Sequence, residues 1–503
     1  AIRVKGDGMA YNFFELNRDQ QFLLPEDMRD WVPKGDLALY VIDVVEKLDL
    51  SEFFAAYRAD GWGAAAYDPS MMVALTIYAY CVGERSSRRI EKLCSRDAGF
   101  RLIAGNHVPD HSTIARFRKD HERSVLSLFG QVLTICAKAG VVNPVVLAVD
   151  GTRIKASASL DANRTYASFN KEYEEIGRQI LEEAENVDEE EDRLYGPEHR
   201  GEEVPPELHD AKTRQAQIEE FIEEMRRQAE DAAREQQDKI DEREERRRAG
   251  EKKLGRNPLS PSVVRERFLK DKARVNTTDP ESRIMKSSKG FLQGFNAQVA
   301  VTEDQIIVAA HLTDSPDDWH QLHPMVELSK ENLREAGVEK PVGSVVADAG
   351  YGCGENLKEA ERLKKDSIEK GDPTSCPDFF VATKKGRILA LEMAEAAAAE
   401  EAAEEAAEAG EPAASEVADE TSEEASAAAE RMEQKLKKKE GRETYAKRGK
   451  TVEPVFGQMK DGRRFERFMR RGYEACGSEW SLMCSTHNLL KLWRSGAAIA
   501  TNE

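Results

Sequence analysis

Three acidic residues carry the chemistry open to this chain. Asp150 closes the run Val145-Val146-Leu147-Ala148-Val149 and is followed by Gly151 and Thr152. Asp348 closes Val345-Val346-Ala347 and is followed by Ala349-Gly350-Tyr351-Gly352. Glu453 stands beside Pro454 in a basic stretch. A mostly β-branched run that ends in an acid reads as a buried strand carrying a carboxylate at its end. An acid there is costly unless positive charge faces it. Taken alone, Asp150-Gly151 reads as a strand-ending turn, since Asp-Gly is a common hairpin dipeptide. Three carboxylates brought together repel one another, and divalent cations neutralise them. Oxygen donors with no His or Cys close by in sequence favour Mg²⁺, with Mn²⁺ as a substitute, over zinc.

The elements that must position these acids follow from the patterning. Phe295 to Thr302 alternates as a strand, Ile306 to Thr313 is a second, and Glu303-Asp304-Gln305 joins them as an antiparallel hairpin. Trp319 to Gly337 reads as a helix, Asn356 to Lys364 as another, and Phe379 to Thr383 as a short strand. An apolar helix spans Trp480 to Trp493. The order is strand (Asp150), strand, strand, helix, strand (Asp348), helix, strand, helix (Glu453). That is the order of an RNase H-like α/β fold, a mixed five-stranded sheet with flanking helices. In it the first and fourth strands are neighbours, so two acids about 200 residues apart meet.

Two blocks interrupt this grammar. Lys171 to Lys253 is dominated by Glu, Arg, Gln and Ala, broken at Pro205-Pro206, and reads as an inserted helical hairpin. Its apolar heptads are not sustained, which argues against a freestanding coiled-coil rod. Met393 to Ala429 is nearly all Ala, Glu and Ser, a loosely helical or flexible insertion. The chain of 503 residues has a formal net charge of −20, but the charge is segregated. From Ile388 to Glu430 there are 14 acids and no Lys or Arg, whereas Met432 to Arg471 carries 14 Lys or Arg against 6 acids. Local charge decides what a face binds, so the acidic average does not exclude a polyanionic partner.

Seven scattered cysteines, none in a Cys-x-x-Cys pair, signal neither a disulfide framework nor a zinc ribbon. The longest apolar run, Met71 to Val82, is too short to span a bilayer. Residues 1 to 30 lack a signal-peptide core. A cytoplasmic protein with no membrane contact is expected. Residues 31 to 140 read as mostly helical, with Asp36 to Tyr57 at helical spacing and Asp68-Pro69-Ser70 capping Met71 to Val82. Glu84 to Ser95, with Arg85, Arg88 and Arg89, and Thr113 to Arg123, with Arg116, Arg118 and Lys119, form two basic helices joined by a loop. They suit a helix-turn-helix-like DNA contact, or equally a small bundle with solvated arginines.

The chain resembles the DDE transposases of bacterial insertion sequences, in the group with a Tyr–Arg–Glu–Lys signature. The resemblance rests on Asp150-Gly151-Thr152, on Gly294-Phe295-Asn296-Ala297-Gln298, on Asp348-Ala349-Gly350-Tyr351-Gly352, and on Tyr445 through Lys460. It implies metal-dependent cleavage at transposon ends and strand transfer, with Asp150, Asp348 and Glu453 as catalytic and Mg²⁺-holding residues. Tyr445, Arg448 and Lys460 would grip phosphates near the transposon end, with Arg463, Arg464, Arg467, Arg470 and Arg471 extending the track. The implied partner is double-stranded DNA, both terminal inverted repeats and target, with a dimer on DNA in the bacterial cytoplasm or nucleoid. A DNA-binding derivative without chemistry is the alternative.

One feature departs from the family. Four residues, Gly449 to Val452, separate Arg448 from Glu453, where the family usually has three. Gly449 and Pro454 suggest a helix that restarts near Thr451, a plausible N-cap. Trp319 reads either as a helix-start packing residue or as a base-stacking one, and His487-Asn488 as structural. The resulting division is a helical DNA-binding domain at 1–140 and catalytic-core segments at 141–170, 276–386 and 438–503. A charged helical insertion occupies 171–275, and the Ala/Glu-rich one occupies 387–437.

Overall fold

The computed structural model describes residues 2–6, 9–13, 27–57, 66–166, 211–248, 257–287, 290–384, 388–389, 392–394, 396–397 and 424–497. Among these, an N-terminal hairpin (β1, Ile2–Gly6; β2, Met9–Phe13) precedes a helical region. That region comprises α1 (Leu37–Val45), α2 (Ser51–Ala55), α3 (Pro69–Cys81), α4 (Ser87–Arg96), α5 (Ala98–Ile103), α6 (His111–Asp120) and α7 (Glu122–Lys138). Side chains of Asp36, Asp68, Ser86, Asp97 and Asp110 cap five of these helices by accepting first-turn N–H groups. The segment from Asp36 to Tyr57 is therefore two helices rather than one. The two basic helices are likewise not joined by a simple loop, because α5 lies between them.

The central sheet begins with β3 (Val146–Lys155). A small pair, β4 (Asn163–Thr165) with β5 (Arg274–Asn276), ties together the two ends of the charged insertion. Within that insertion runs the 38-residue α8 (Ala211–Arg248). Phe221, Ile222 and Met225 of α8 pack on Ala273 and Val275 in a small core of their own. The helix α9 (Pro261–Arg267) follows. The sheet then continues with β6 (Arg283–Ser287), β7 (Gly290–Thr302) and β8 (Ile307–Thr313). After α10 (Leu322–Glu335) come β9 (Ser344–Ala347), α11 (Gly354–Glu369) and β10 (Asp378–Val381). Three helices close the described chain: α12 (Glu424–Lys437), α13 (Lys439–Gly457) and α14 (Tyr473–Ser495).

The strand order is β10-β9-β3-β7-β6, with β8 also paired to β7. β3 is antiparallel to β7 and parallel to β9, and β9 is parallel to β10. The sheet has six strands rather than the expected five, because β7 reaches back to Gly290 and forms a hairpin with β6. The tail of the Ala/Glu-rich block also differs from expectation. It is the ordered helix α12, whose Ala428, Met432 and Leu436 are buried, while residues 398–423 lie outside the described residues. Val146 to Val149 are buried, and the parallel register sets Val149 opposite Ala347. In each case the next residue is an acid. Asp348 directly follows β9, whereas Asp150, expected at a strand end, lies inside β3, because pairing with β7 carries that strand on to Lys155 and only its parallel pairing with β9 stops at Val149.

Candidate active site

Each aspartate is oriented by the N–H of a glycine that follows it. The Gly151 N–H donates to Asp150 Oδ1 and the Gly350 N–H to Asp348 Oδ1, both at 2.8 Å. Glu453 comes from α13, which packs across β3, β9 and β10. The three carboxylates meet on one guanidinium. Arg448 lies 2.6 Å from Asp150 Oδ2, 3.9 Å from Asp348 Oδ2 and 3.6 Å from Glu453 Oε1. Exposure rises across the cluster, with side chains 13% exposed at Asp150, 41% at Asp348 and 65% at Glu453. Burial pushes the Asp150 carboxyl up to about 6. The Arg448 charge pulls it back, and Asp348 adds to the rise. Burial wins because Asp150 sits at the closed end of the cluster. Tyr445, one turn before Arg448, is also raised, first by burial.

The helix carrying Glu453 does not restart at Thr451. α13 is continuous, Thr451 Oγ1 donates to the Lys447 carbonyl, and Pro454 lies inside the helix. A proline there leaves the carbonyl four residues earlier without its N–H partner. Gln305, at the β7–β8 turn, supplies the replacement through Nε2 to Lys450 O at 3.2 Å. Five helical positions leave Arg448 and Glu453 roughly 140° apart around the axis. The length of the arginine side chain closes that gap.

Beneath the aspartates lies a polar network that the sequence reading left without a role. Asn296 and Gln298, both fully buried on β7, donate to Asp318 Oδ1 at 2.8 and 2.7 Å. Gln298 also donates to Asn296 Oδ1, and the buried Tyr351 hydroxyl donates to Gln298 Oε1. Arg153 donates to Asp318 Oδ2 at 3.0 Å and to the Pro316 carbonyl. Two buried amides at alternate positions of a mostly apolar strand were the available signal for this network. Gly151 is required here, because a Cβ on it would overlap Gln298 Nε2 and come within 2.8 Å of Asp318 Oδ1.

The basic residues separate into two groups. Lys460, in the π-type turn Gln458–Gly462, donates to the Arg153 carbonyl at 2.9 Å and so ties the end of α13 to β3. Arg463, expected on a phosphate track, is buried instead. It donates to Thr486 Oγ1 and lies over the Phe465 ring, and burial lowers its pKa to about 10. Arg118, expected to face DNA, is buried too, with its guanidinium on the Arg85 carbonyl and Ser87 Oγ. Arg467 donates to Ser157 Oγ, Arg471 to the Ser157 carbonyl, and Arg470 pairs with Glu122. Arg464, Arg116 and Lys119 are exposed. Arg463 and Arg118 are buried because they satisfy polar groups inside the fold, the Thr486 hydroxyl and the Arg85 carbonyl, while Arg467 and Arg471 serve Ser157 where residues 463–471 run beside the end of β3.

Trp319 is 54% exposed at the start of a short 3-10 turn directly after Asp318, so it is not a core residue. His487 is buried with its Nε2 on the Gln305 carbonyl, and burial lowers its pKa to about 3, leaving a neutral structural ring. Asn488 satisfies both backbone groups of Ile307 on β8.

Among the described residues, no group of three His, Cys, Asp or Glu side chains stands ready to hold a metal ion, and Arg448 lies within 4 Å of all three acids. The donor chemistry nevertheless fits a hard cation, because all three converging groups are carboxylates.

The general class of the protein is mixed α/β, a mixed sheet with flanking helices and with acids gathered where β3 and β9 cease to pair. Residues 26–120 match a family model described as a transposase domain (DUF772), and residues 411–493 match one described as a transposase DDE domain. Together the two matches support a DDE transposase of the insertion-sequence type. The second match takes in Tyr445, Arg448, Glu453 and Lys460, whereas Asp150 and Asp348 lie in neither range. No match was found among curated proteins or among solved structures.

Proposed function

We propose that this chain cuts DNA at transposon ends and joins the freed ends to target DNA. Asp150, Asp348 and Glu453 are the catalytic carboxylates. The observation that carries the reading is their convergence, from residues 150, 348 and 453, on one guanidinium. The sheet order, with β3 antiparallel to β7 and parallel to β9, supports an RNase H-like core.

The three acids would hold two Mg²⁺ ions, or Mn²⁺ in their place. Such ions, when bound, activate the attacking oxygen and stabilise the leaving one in an in-line displacement at phosphorus. The protein's part is to present the acids. The glycine N–H groups fix two of the carboxylates, and Glu453 is the most exposed of the three. Arg448 and Tyr445 border the acids, where a backbone phosphate can take the guanidinium from its carboxylate partners. Arg464, Arg116 and Lys119 are exposed and suit phosphate contacts that position the duplex without reading sequence. Holding two transposon ends together calls for two copies on DNA. No helix among the described residues is long and apolar enough to cross a membrane, which accords with action on DNA in the cytoplasm.

The test uses DNA bearing the inverted repeats that flank the coding region. Wild-type protein nicks it in Mg²⁺. Asp150→Asn, Asp348→Asn and Glu453→Gln each abolish nicking while DNA binding survives. Wild-type rates in all three variants would remove the proposed site. Binding without nicking by the wild type would favour the inactive derivative.

A further inference from the structure

We propose that Asp318 is a positioning residue for this carboxylate site, one that sets the two aspartates and strengthens their hold on a divalent cation. The inference rests on the catalytic reading above. It begins with how completely the Asp318 carboxylate is held. Oδ1 accepts from two fully buried amides, Asn296 and Gln298, and Oδ2 accepts from Arg153. Three donors from β3 and β7 therefore fix a carboxylate carried by the segment before α10.

Its place relative to the aspartates gives it a role. The position of a Cβ on Gly151 lies 2.8 Å from Asp318 Oδ1, and that of a Cβ on Gly350 lies 3.2 Å from Asp318 Oδ2. The same point above Gly350 is 2.9 Å from Asp348 Oδ1. Asp318 thus sits against both glycines, and these donate the N–H groups that orient Asp150 and Asp348. A side chain there controls where the two acids point. It also adds negative charge beside them, which favours a cation. Its own oxygens are already committed to Asn296, Gln298 and Arg153, so Asp318 acts through its neighbours. Groups that orient metal-holding side chains in this way are typically worth about 10- to 100-fold in metal affinity.

The experiment measures Mn²⁺ binding to the full chain by electron paramagnetic resonance, without DNA, for wild type, Asp150→Asn and Asp318→Asn. Asparagine keeps the shape of Asp318 but turns a donor toward donors. Wild type is expected to bind Mn²⁺, Asp150→Asn to lose it, and folded Asp318→Asn to bind at least about tenfold more weakly. A purely structural role would lower the melting temperature and leave affinity per folded molecule unchanged, and that outcome overturns the proposal. If Asp318→Asn does not fold, Asn296→Ser carries the test, since it removes one donor to Asp318 and is expected to weaken Mn²⁺ binding in the same direction. Unchanged affinity in folded Asn296→Ser then overturns the proposal. Failure of the underlying reading looks different, because wild type would then bind no Mn²⁺ or Asp150→Asn would bind it equally well.

Discussion

Neutralising Asp150 should stabilise the metal-free protein. Its carboxyl stands at about 6 instead of the ordinary 3.8, so ionising it in the fold costs about 3 kcal/mol more than in the unfolded chain. The folded value is the higher, so the folded state binds the extra proton. The contribution of Asp150 to stability is then full below about pH 4 and is lost as pH rises through about 6. Asp150→Asn mimics the protonated form at every pH. At pH 7 in EDTA it should be more stable than wild type by up to about 3 kcal/mol, and the difference should fade toward zero below about pH 4. Added Mg²⁺ at pH 7 should stabilise wild type and leave the variant unmoved, because ligand binding to the folded state is what shifts the melt. Denaturant titrations at pH 4, 5.5 and 7, with and without Mg²⁺, read all of this. A variant no more stable than wild type at pH 7 would refute the reasoning. It would mean that the attraction of Arg448 outweighs the burial of the carboxyl.

Further expectations separate structural from DNA-facing residues. Arg463→Ala should lower stability by about 2–3 kcal/mol through its lost charged hydrogen bond to Thr486, seen as an earlier denaturation midpoint. Arg464→Ala should leave the midpoint alone but reduce the salt slope of DNA binding by about one, as expected for a single phosphate contact. Gly151→Ala should cost about 1–3 kcal/mol by overpacking against Gln298 and Asp318, and should remove stabilisation by Mg²⁺ in a thermal melt. Gln305→Ala should cost about 1–3 kcal/mol because it strands the Lys450 carbonyl beside Pro454, with DNA affinity unchanged in a gel-shift titration.

The carriers of the acids were legible in the sequence because each rule involved is local. An apolar run of three to five residues before an Asp was enough to put Asp150 on one strand and Asp348 just past another, and the adjoining of those strands followed from the order of elements, although β3 runs on past Asp150 to Lys155. What was not legible depended on partners far away. Pro454 looked like a helix boundary, and it is not one because Gln305, 149 positions earlier, repairs the helix. Arg463 looked like a surface cation in a basic block, yet Thr486 and Phe465 bury it. Arg85 likewise serves the carbonyls of Arg464 and Arg467, 379 and 382 positions on, which no window on the chain could reveal. Asp318 hid in a loop of acids, where nothing local separates the one held by buried amides from the solvated ones.

The wide sequence spacing of the acid cluster has a consequence for how the molecule comes into being. A chain stopped before residue 439 carries both aspartates but neither the helix with the third acid nor the arginine that offsets them. In such a fragment two like charges adjoin with no counter-charge from α13, and the very pairing that should bring them together is strained. The centre can therefore assemble only after α13 has been made, and closing contacts across such long loops is slow. A partial product is thus unarmed by construction.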